Sequence, residues 1–388
     1  MASRSVLLAG GGSAGHVSPL LATADALRRR DPSVRITALG TAAGLEARLV
    51  PERGYDLLTV PKVAFPRRIS TAALRLPQNL SAAVRAADRA IASSGADVVV
   101  GFGGYVSTPA YLAAKRRGIP VVVHEGNARP GLANRLGARL TTHVATTFES
   151  TTLPHAQCIG MPMRTEITRL DRAALRSEAR AHYGFDESRP VLLVTGGSLG
   201  AKRLNDAFAG AVRDLGAAGI QVLHLAGGGK GFTPDVDPAA DASTAPYVVA
   251  EYADRMELAY AAADLVVARA GANTVCELSA LGLPAIYVPL PIGNGEQRVN
   301  AEPLVAAGGG VLVDDAHVDS EWVRRFVIPL LGHAERVEAM AQAAARMGRR
   351  DADEALARII ESAETAQQGR SRAGAIARAR ARARRGNA

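Results

Sequence analysis

The chain has 388 residues, of which 48% are hydrophobic and 21% charged, with two cysteines. That length suggests two domains, and the composition excludes a disordered, collagen-like or coiled-coil chain as well as a disulfide framework. A net charge of +9 points at first to nucleic acid, but seven arginines lie between Arg370 and Arg385 with no acid among them, and removing them leaves +2 for the rest.

The N-terminus, Met1 to Gly12, is too short and too glycine-rich for a signal-peptide core. No segment approaches the roughly 18 unbroken apolar residues of a membrane span. The expectation is a cytoplasmic protein with reduced Cys158 and Cys276. An apolar run, Val6 to Ala9, leads into a glycine turn, a helical stretch Leu20–Arg30 and a strand Val34–Leu39. Strands Val98–Val100, Val121–His124 and Val144–Thr146 follow between alanine- and leucine-rich helices.

The opening phrase then returns. Val6-Leu-Leu-Ala-Gly-Gly-Gly-Ser-Ala-Gly15 reappears as Val191-Leu-Leu-Val-Thr-Gly-Gly-Ser-Leu-Gly200, with seven of ten positions identical. A helix Leu204–Leu215 and strands Gln221–Leu225, Leu265–Ala268, Ala285–Val288 and Val311–Val313 complete the second half. Short apolar strands alternating with helices imply parallel sheets covered on both faces. The pattern predicts an α/β chain with two doubly wound, Rossmann-like domains facing across a cleft. The expected domains are 1–163 and 164–349. A segment 350–365 packs back on the first, and an Ala/Arg-rich tail, 366–388, reads as disordered.

Gly10-Gly11-Gly12-Ser13-Ala14-Gly15 fits G-x-G-x-x-G, but a dinucleotide site also needs an acid at the end of the second strand. That strand ends Thr37-Ala38-Leu39-Gly40-Thr41. A P-loop fails too, because Gly231 follows Gly229-Lys230 where Ser or Thr should hold magnesium. What remains is backbone N–H groups at helix starts, which suit a diphosphate. A third loop, Arg269-Ala270-Gly271, opens a helix through Ala272, Asn273, Thr274, Val275, Cys276 and Glu277. A carboxylate at Glu277 can accept two hydrogen bonds from a ribose diol.

These phrases, with Gly103-Gly104-Tyr105-Val106-Ser107, His124-Glu125-Gly126-Asn127, Gly160-Met161-Pro162-Met163-Arg164 and Gln297-Arg298-Val299-Asn300-Ala301, resemble the MurG-type UDP-N-acetylglucosamine (UDP-GlcNAc) transferases. Those enzymes convert lipid I to lipid II in peptidoglycan synthesis. The resemblance runs from residue 6 to about 365. It implies a GT-B fold, with UDP-GlcNAc and lipid I as substrates and no cofactor. It also implies peripheral binding to the cytoplasmic membrane face, with other cell-wall or division proteins as partners and no nucleic acid. Carried over by position, the substrate contacts are Ser13, Ala14, Gly15, Asn127, Arg164, Ser198, Tyr252, Ala253, Ala272 to Glu277, Gln297 and Asn300. Ala14 and Gly126 stand where the family commonly has Gly and Gln.

The implied reaction is one inverting displacement. It needs a general base for the acceptor hydroxyl and positive potential for the leaving diphosphate. His16, directly after the first glycine loop, is the first candidate base. Glu125 is the second, and Tyr105 is placed to orient the acceptor. Arg164 and helix starts supply the potential, so no metal is expected. Asp235-Val236-Asp237, in a Pro-flanked loop, reads as solvated. Val63 to Ile69 with Leu74-Arg75-Leu76 mixes apolar and basic residues that suit an anionic bilayer. Three alternatives stay open: a transferase with a soluble acceptor, a sugar-nucleotide epimerase, and a nucleic-acid binder using the basic tail.

Overall fold

The computed structural model describes residues 4–63, 71–197, 200–236, 244–292 and 294–366. The chain divides into two compact units. The first runs to Arg164 and resumes at Asp351; the second is Thr165–Arg350.

The first unit holds seven parallel strands: β1 (Ser5–Ala9), β2 (Arg35–Gly40), β3 (Asp56–Thr59), β4 (Val98–Gly101), β5 (Val121–Glu125), β6 (His143–Thr146) and β7 (Ala156–Cys158). Their order is β3-β2-β1-β4-β5-β6-β7. β1 shows why the sheet is covered on both faces. All five of its residues are buried. Val6 and Leu8 pack with Leu20, Leu27 and Val50, whereas Leu7 and Ala9 pack with Val84, Ile91 and Tyr111. Alternate side chains of a strand point to opposite faces, so a strand apolar at every position needs helices on both.

Helix Ala14–Arg30 covers one face together with a C-terminal helix at 352–366, through Leu356 and Ile360. Helices Thr71–Ser94 and Gly104–Arg117 cover the other. Ion pairs Arg29–Asp353 (2.6 Å), Arg30–Glu361 (2.8 Å) and Arg4–Glu364 (2.6 Å) fasten the C-terminal helix.

The second unit repeats the winding with six parallel strands: β8 (Val191–Thr195), β9 (Gln221–Leu225), β10 (Tyr247–Ala250), β11 (Leu265–Ala268), β12 (Ala285–Tyr287) and β13 (Gly310–Leu312). Their order is β10-β9-β8-β11-β12-β13. In each sheet the winding reverses beside the first strand, between β1 and β4 and between β8 and β11. Ligands of such sheets bind outside the carboxyl ends of the strands at that reversal. The two glycine phrases follow β1 and β8, and both therefore sit there.

β9 and β11 have the bounds their apolar runs predict. β3, β7 and β10 were not legible: they carry half-exposed residues and lie at sheet edges. The single helix expected at Leu204–Leu215 is two, Lys202–Ala209 and Val212–Ala217, interrupted at Gly210. No helix among the described residues is long and apolar enough to cross a membrane. The basic-apolar stretch 64–70 and the arginine tail lie outside the described residues.

Candidate active site

β1 ends at Ala9, and the chain turns through Gly10 to Ser13 into helix Ala14–Arg30. Gly12 adopts φ +87°, the left-handed region that favours glycine. Ala14 is already helical, so its methyl group carries no backbone penalty. Gly126 also tolerates a side chain: its Cβ would meet the flexible end of Met161 at 3.3 Å and the Gly15 carbonyl at an ordinary 3.8 Å.

His16 sits in the first helical turn, half-buried. Its Nδ1 lies 3.2 Å from the Gly11 carbonyl oxygen and 3.1 Å from Ser13 Oγ. A carbonyl can only accept, so Nδ1 carries the hydrogen and Nε2 the lone pair. The ring rests against the loop after β4: a Cβ on Gly103 would lie 3.0 Å from Nε2. Burial pulls the imidazole pKa below its ordinary value, partly opposed by the Gly11 carbonyl and by Glu46. The ring is therefore neutral at pH 7 and able to accept a proton at Nε2.

Glu46 was not singled out in the sequence. It opens helix Glu46–Glu52 and is fully buried beneath the loop. Its Oε2 accepts from the Gly12 N–H (2.8 Å); its Oε1 accepts from the Thr41 N–H (2.8 Å) and hydroxyl (2.7 Å). Beside it a cavity of about 310 Å³ is lined by Gly11, Gly12, Thr41, Gly44, Lys62 and Tyr105, among others. Tyr105 is 40% exposed, with Lys62 Nζ 5.4 Å from its ring centre.

Glu125 ends β5 and is buried. Its Oε1 accepts from the Asn127 N–H (2.9 Å), and its Oε2 accepts from the Gly131 N–H and from Asn134 Nδ2, each at 3.0 Å. Tyr111 OH donates to Asn134 Oδ1 (2.7 Å) behind it. Burial raises the Glu125 carboxyl above the usual range despite these bonds. Both oxygens are engaged in shaping the 126–134 loop. His124 Nε2 lies 3.2 Å from the Gly160 carbonyl, and burial pushes that ring down to about 4.

In the second unit the glycine phrase follows β8. A Cβ on Gly200 would meet the Ala226 carbonyl and, at 3.0 Å, the Lys230 side chain. No carboxylate is among the nearest neighbours of a Cβ built on Gly196, Gly197 or Gly200. Ser198 lies outside the described residues. Tyr252 and Ala253 follow β10, with the Tyr252 hydroxyl against Gly228.

After β11, helix Ala272–Ala280 begins at Gly271 with no acid in its first turn. Ala272 and Val275 are buried; Asn273, Thr274 and Cys276 are partly exposed. Glu277 lies in the second turn, its Oε2 accepting from Tyr260 OH (2.8 Å). Arg172 and Arg350 donate to carbonyls at the other end of this helix, Leu281, Gly282 and Ala280. Gln297 Oε1 accepts from the Leu290 N–H (2.9 Å). Asn300 is buried, with Nδ2 3.5 Å from the Ala270 carbonyl, and supports the loop from behind.

Residues 6–146 match the glycosyltransferase family 28 N-terminal domain and residues 191–356 its C-terminal domain. A UDP-N-acetylglucosamine--N-acetylmuramyl-(pentapeptide) pyrophosphoryl-undecaprenol N-acetylglucosamine transferase of Nocardioides sp. is 58% identical, covering 92% of this chain and 97% of that protein. The chain belongs to the MurG-type glycosyltransferases of family 28. A relative of the same description in Acidothermus cellulolyticus is 55% identical over 94% of this chain and 99% of its own length. The crystal structure of Acinetobacter baumannii MurG matches with a TM-score of 0.75 at 27% identity, covering 92% of this chain and 99% of that one.

Family membership gives the fold class, two Rossmann-like sheets of GT-B type. The structure brings Ser13, His16 and Tyr105 to the reversal point of the first sheet. It brings Tyr252, Ala253, the 272–277 helix and Gln297 to the carboxyl end of the second. Arg164 stands at the end of the first unit, half-buried. Asp235 is a surface residue paired with Arg213 (2.8 Å), and Asp237 lies outside the described residues. Glu46, Asn134, Tyr111 and Tyr260 were missed. Only their burial and partners distinguish them, and the sequence shows neither.

Proposed function

We propose that this chain moves N-acetylglucosamine from UDP-GlcNAc to the 4-hydroxyl of the MurNAc sugar of undecaprenyl-pyrophosphoryl-MurNAc-pentapeptide, lipid I, giving lipid II. The observation that carries the substrates is the 58% identity, over nearly the whole chain, to a transferase of that description. Neither an epimerase nor a nucleic-acid binder accounts for that likeness.

The reaction is an inverting displacement. The acceptor oxygen forms a bond to the anomeric carbon as the bond to UDP breaks, and the hydroxyl proton passes to His16 Nε2. A lone pair held on Nε2 by the Gly11 contact supports this role. The second glycine loop and the start of helix Ala272–Ala280, with Ser198 and residues 272–276, take the diphosphate. Glu277 holds the ribose, Tyr252 and Ala253 the uracil, and Gln297 the sugar hydroxyls. Arg164 adds positive potential, and no metal takes part. Tyr105 and Asn127 belong to the acceptor and sugar side. Because the acceptor is a lipid, the enzyme works at the cytoplasmic membrane face, beside other cell-wall proteins.

Transfer of labelled GlcNAc from UDP-GlcNAc to a lipid I analogue, with a metal chelator present, tests this directly. Labelled lipid II is expected. No transfer to that acceptor, with transfer to a soluble one, would reject the acceptor assignment.

A further inference from the structure

Glu46 is a charged side chain buried beneath the first glycine loop, outside the family phrases. It makes no ion pair among the described residues, and its three hydrogen bonds come from Gly12 and Thr41. A buried charge without a partner is costly unless hydrogen bonds compensate it. Burial raises this carboxyl, but the Gly12 and Thr41 donors outweigh burial and hold it below the usual range. It is ionised at neutral pH.

Room for it has been cleared on three sides. A Cβ built on Gly11, Gly40 or Gly44 would collide with the Glu46 side chain. These glycines come from the loop after β1, from the end of β2 and from the turn before the helix. Loop 10–13 is thus moulded on one carboxylate. The residue joined to that carboxylate through Gly11 and Gly12 is His16. Its Nδ1 meets the carbonyl of Gly11, the residue next to Gly12, whose N–H Glu46 holds.

We propose that Glu46 is a positioning residue for the transfer. It holds the Gly11–Gly12 peptides so that the Gly11 carbonyl fixes His16 as the Nδ1–H tautomer, with Nε2 offered to the acceptor hydroxyl. Its negative charge stabilises the imidazolium that forms when Nε2 takes the proton. The logic is that of a carboxylate orienting a histidine in a catalytic triad, relayed in this fold through a peptide carbonyl.

The groups around His16 are few. Ser13 Oγ lies on its own turn, Gly103 and Gly104 on the loop after β4. Asn134 Nδ2 stands near Gly103, and Lys62 and Tyr105 line the adjoining cavity. Glu46 is the anion whose charge acts on the ring.

The role of Glu46 rests on His16 as the base, and three measurements on the full chain separate the two. Nitrogen-15 shifts of the wild-type His16 ring should report the Nδ1–H tautomer; the Nε2–H tautomer overturns the proposal without any variant. Glu46→Gln keeps the shape and removes the charge. It should lower the His16 titration midpoint and reduce kcat about tenfold or more, with the Kd for UDP-GlcNAc within about twofold of wild type. An unchanged midpoint, or a loss of donor affinity in step with kcat, makes Glu46 merely structural and overturns the proposal. Full turnover in His16→Ala instead rejects the base assignment, and with it any positioning role for Glu46.

Discussion

The two glycine phrases share seven of ten residues and the same place in their sheets, yet the charged side chains set against them differ. Beneath the first lies the buried Glu46 carboxylate, bonded to Gly12 N–H. Beside the second lies Lys230, its side chain against Gly200, and the nearest carboxylate shown, Glu251, bonds Gly229 N–H (2.9 Å) rather than the glycine phrase itself. Close backbone approach is the property that the shared residues confer. Whether an anion is welcome is decided by what the rest of each unit places under the loop. The contrast supports the proposed division, with the donor phosphates at the second loop and proton transfer beside the first.

Removal of the proposed base has the largest expected effect. His16→Ala should lower kcat by roughly 10²–10⁴ while the Kd for UDP-GlcNAc stays within about twofold. Steady-state transfer with isothermal titration of the donor checks it. Equal losses in both would make the first loop part of the donor site and erase the distinction.

A pair of substitutions probes the walls of the two loops. A Cβ on Gly196 would fall on the backbone of Ala201, whereas one on Gly44 would fall on the Glu46 side chain. Both should destabilise, by roughly 1–3 kcal/mol, with Gly196→Ala the worse because backbone cannot step aside. Thermal unfolding of the two variants gives the order; the reverse order would show Glu46 to be the stiffer wall.

What the units share can be tested by pH. His124 in β5 and His224 in β9 are both buried, and burial pushes each down to about 4. The unfolded chain binds these protons near pH 6.5, the folded chain only near 4, so stability should fall as pH drops through that window. The loss should be at most on the order of 3 kcal/mol for each ring. Denaturation midpoints flat from pH 7 to 4 would refute it.

The smallest effects sharpen the donor side. Lys230→Glu should weaken UDP binding by about tenfold, a shift of roughly 1.4 kcal/mol, and leave the nitrogen-15 titration of His16 unmoved. Tyr260→Phe removes the donor to Glu277 Oε2. It should raise the KM for UDP-GlcNAc by several-fold, in line with about 1 kcal/mol for one hydrogen bond. A change in kcat alone would place Glu277 away from the ribose.

Local features follow from neighbouring residues alone. Apolar runs, glycine turns and helix starts are set by neighbouring residues, so both windings, the loops after β1, β8 and β11, and the family were legible. The place of His16 beside its loop was legible too, because only five residues of chain separate it from Gly11. Glu46 was not, since it reaches Gly12 from 34 residues away, across the crossover from β1 to β2. Nor were the partners of Glu125, whose carboxylate accepts from Gly131 and Asn134. Burial and hydrogen-bond partners are properties of folded space. A carboxylate's charge, its engagement and its influence on a neighbouring histidine were therefore decided only when the strands came together.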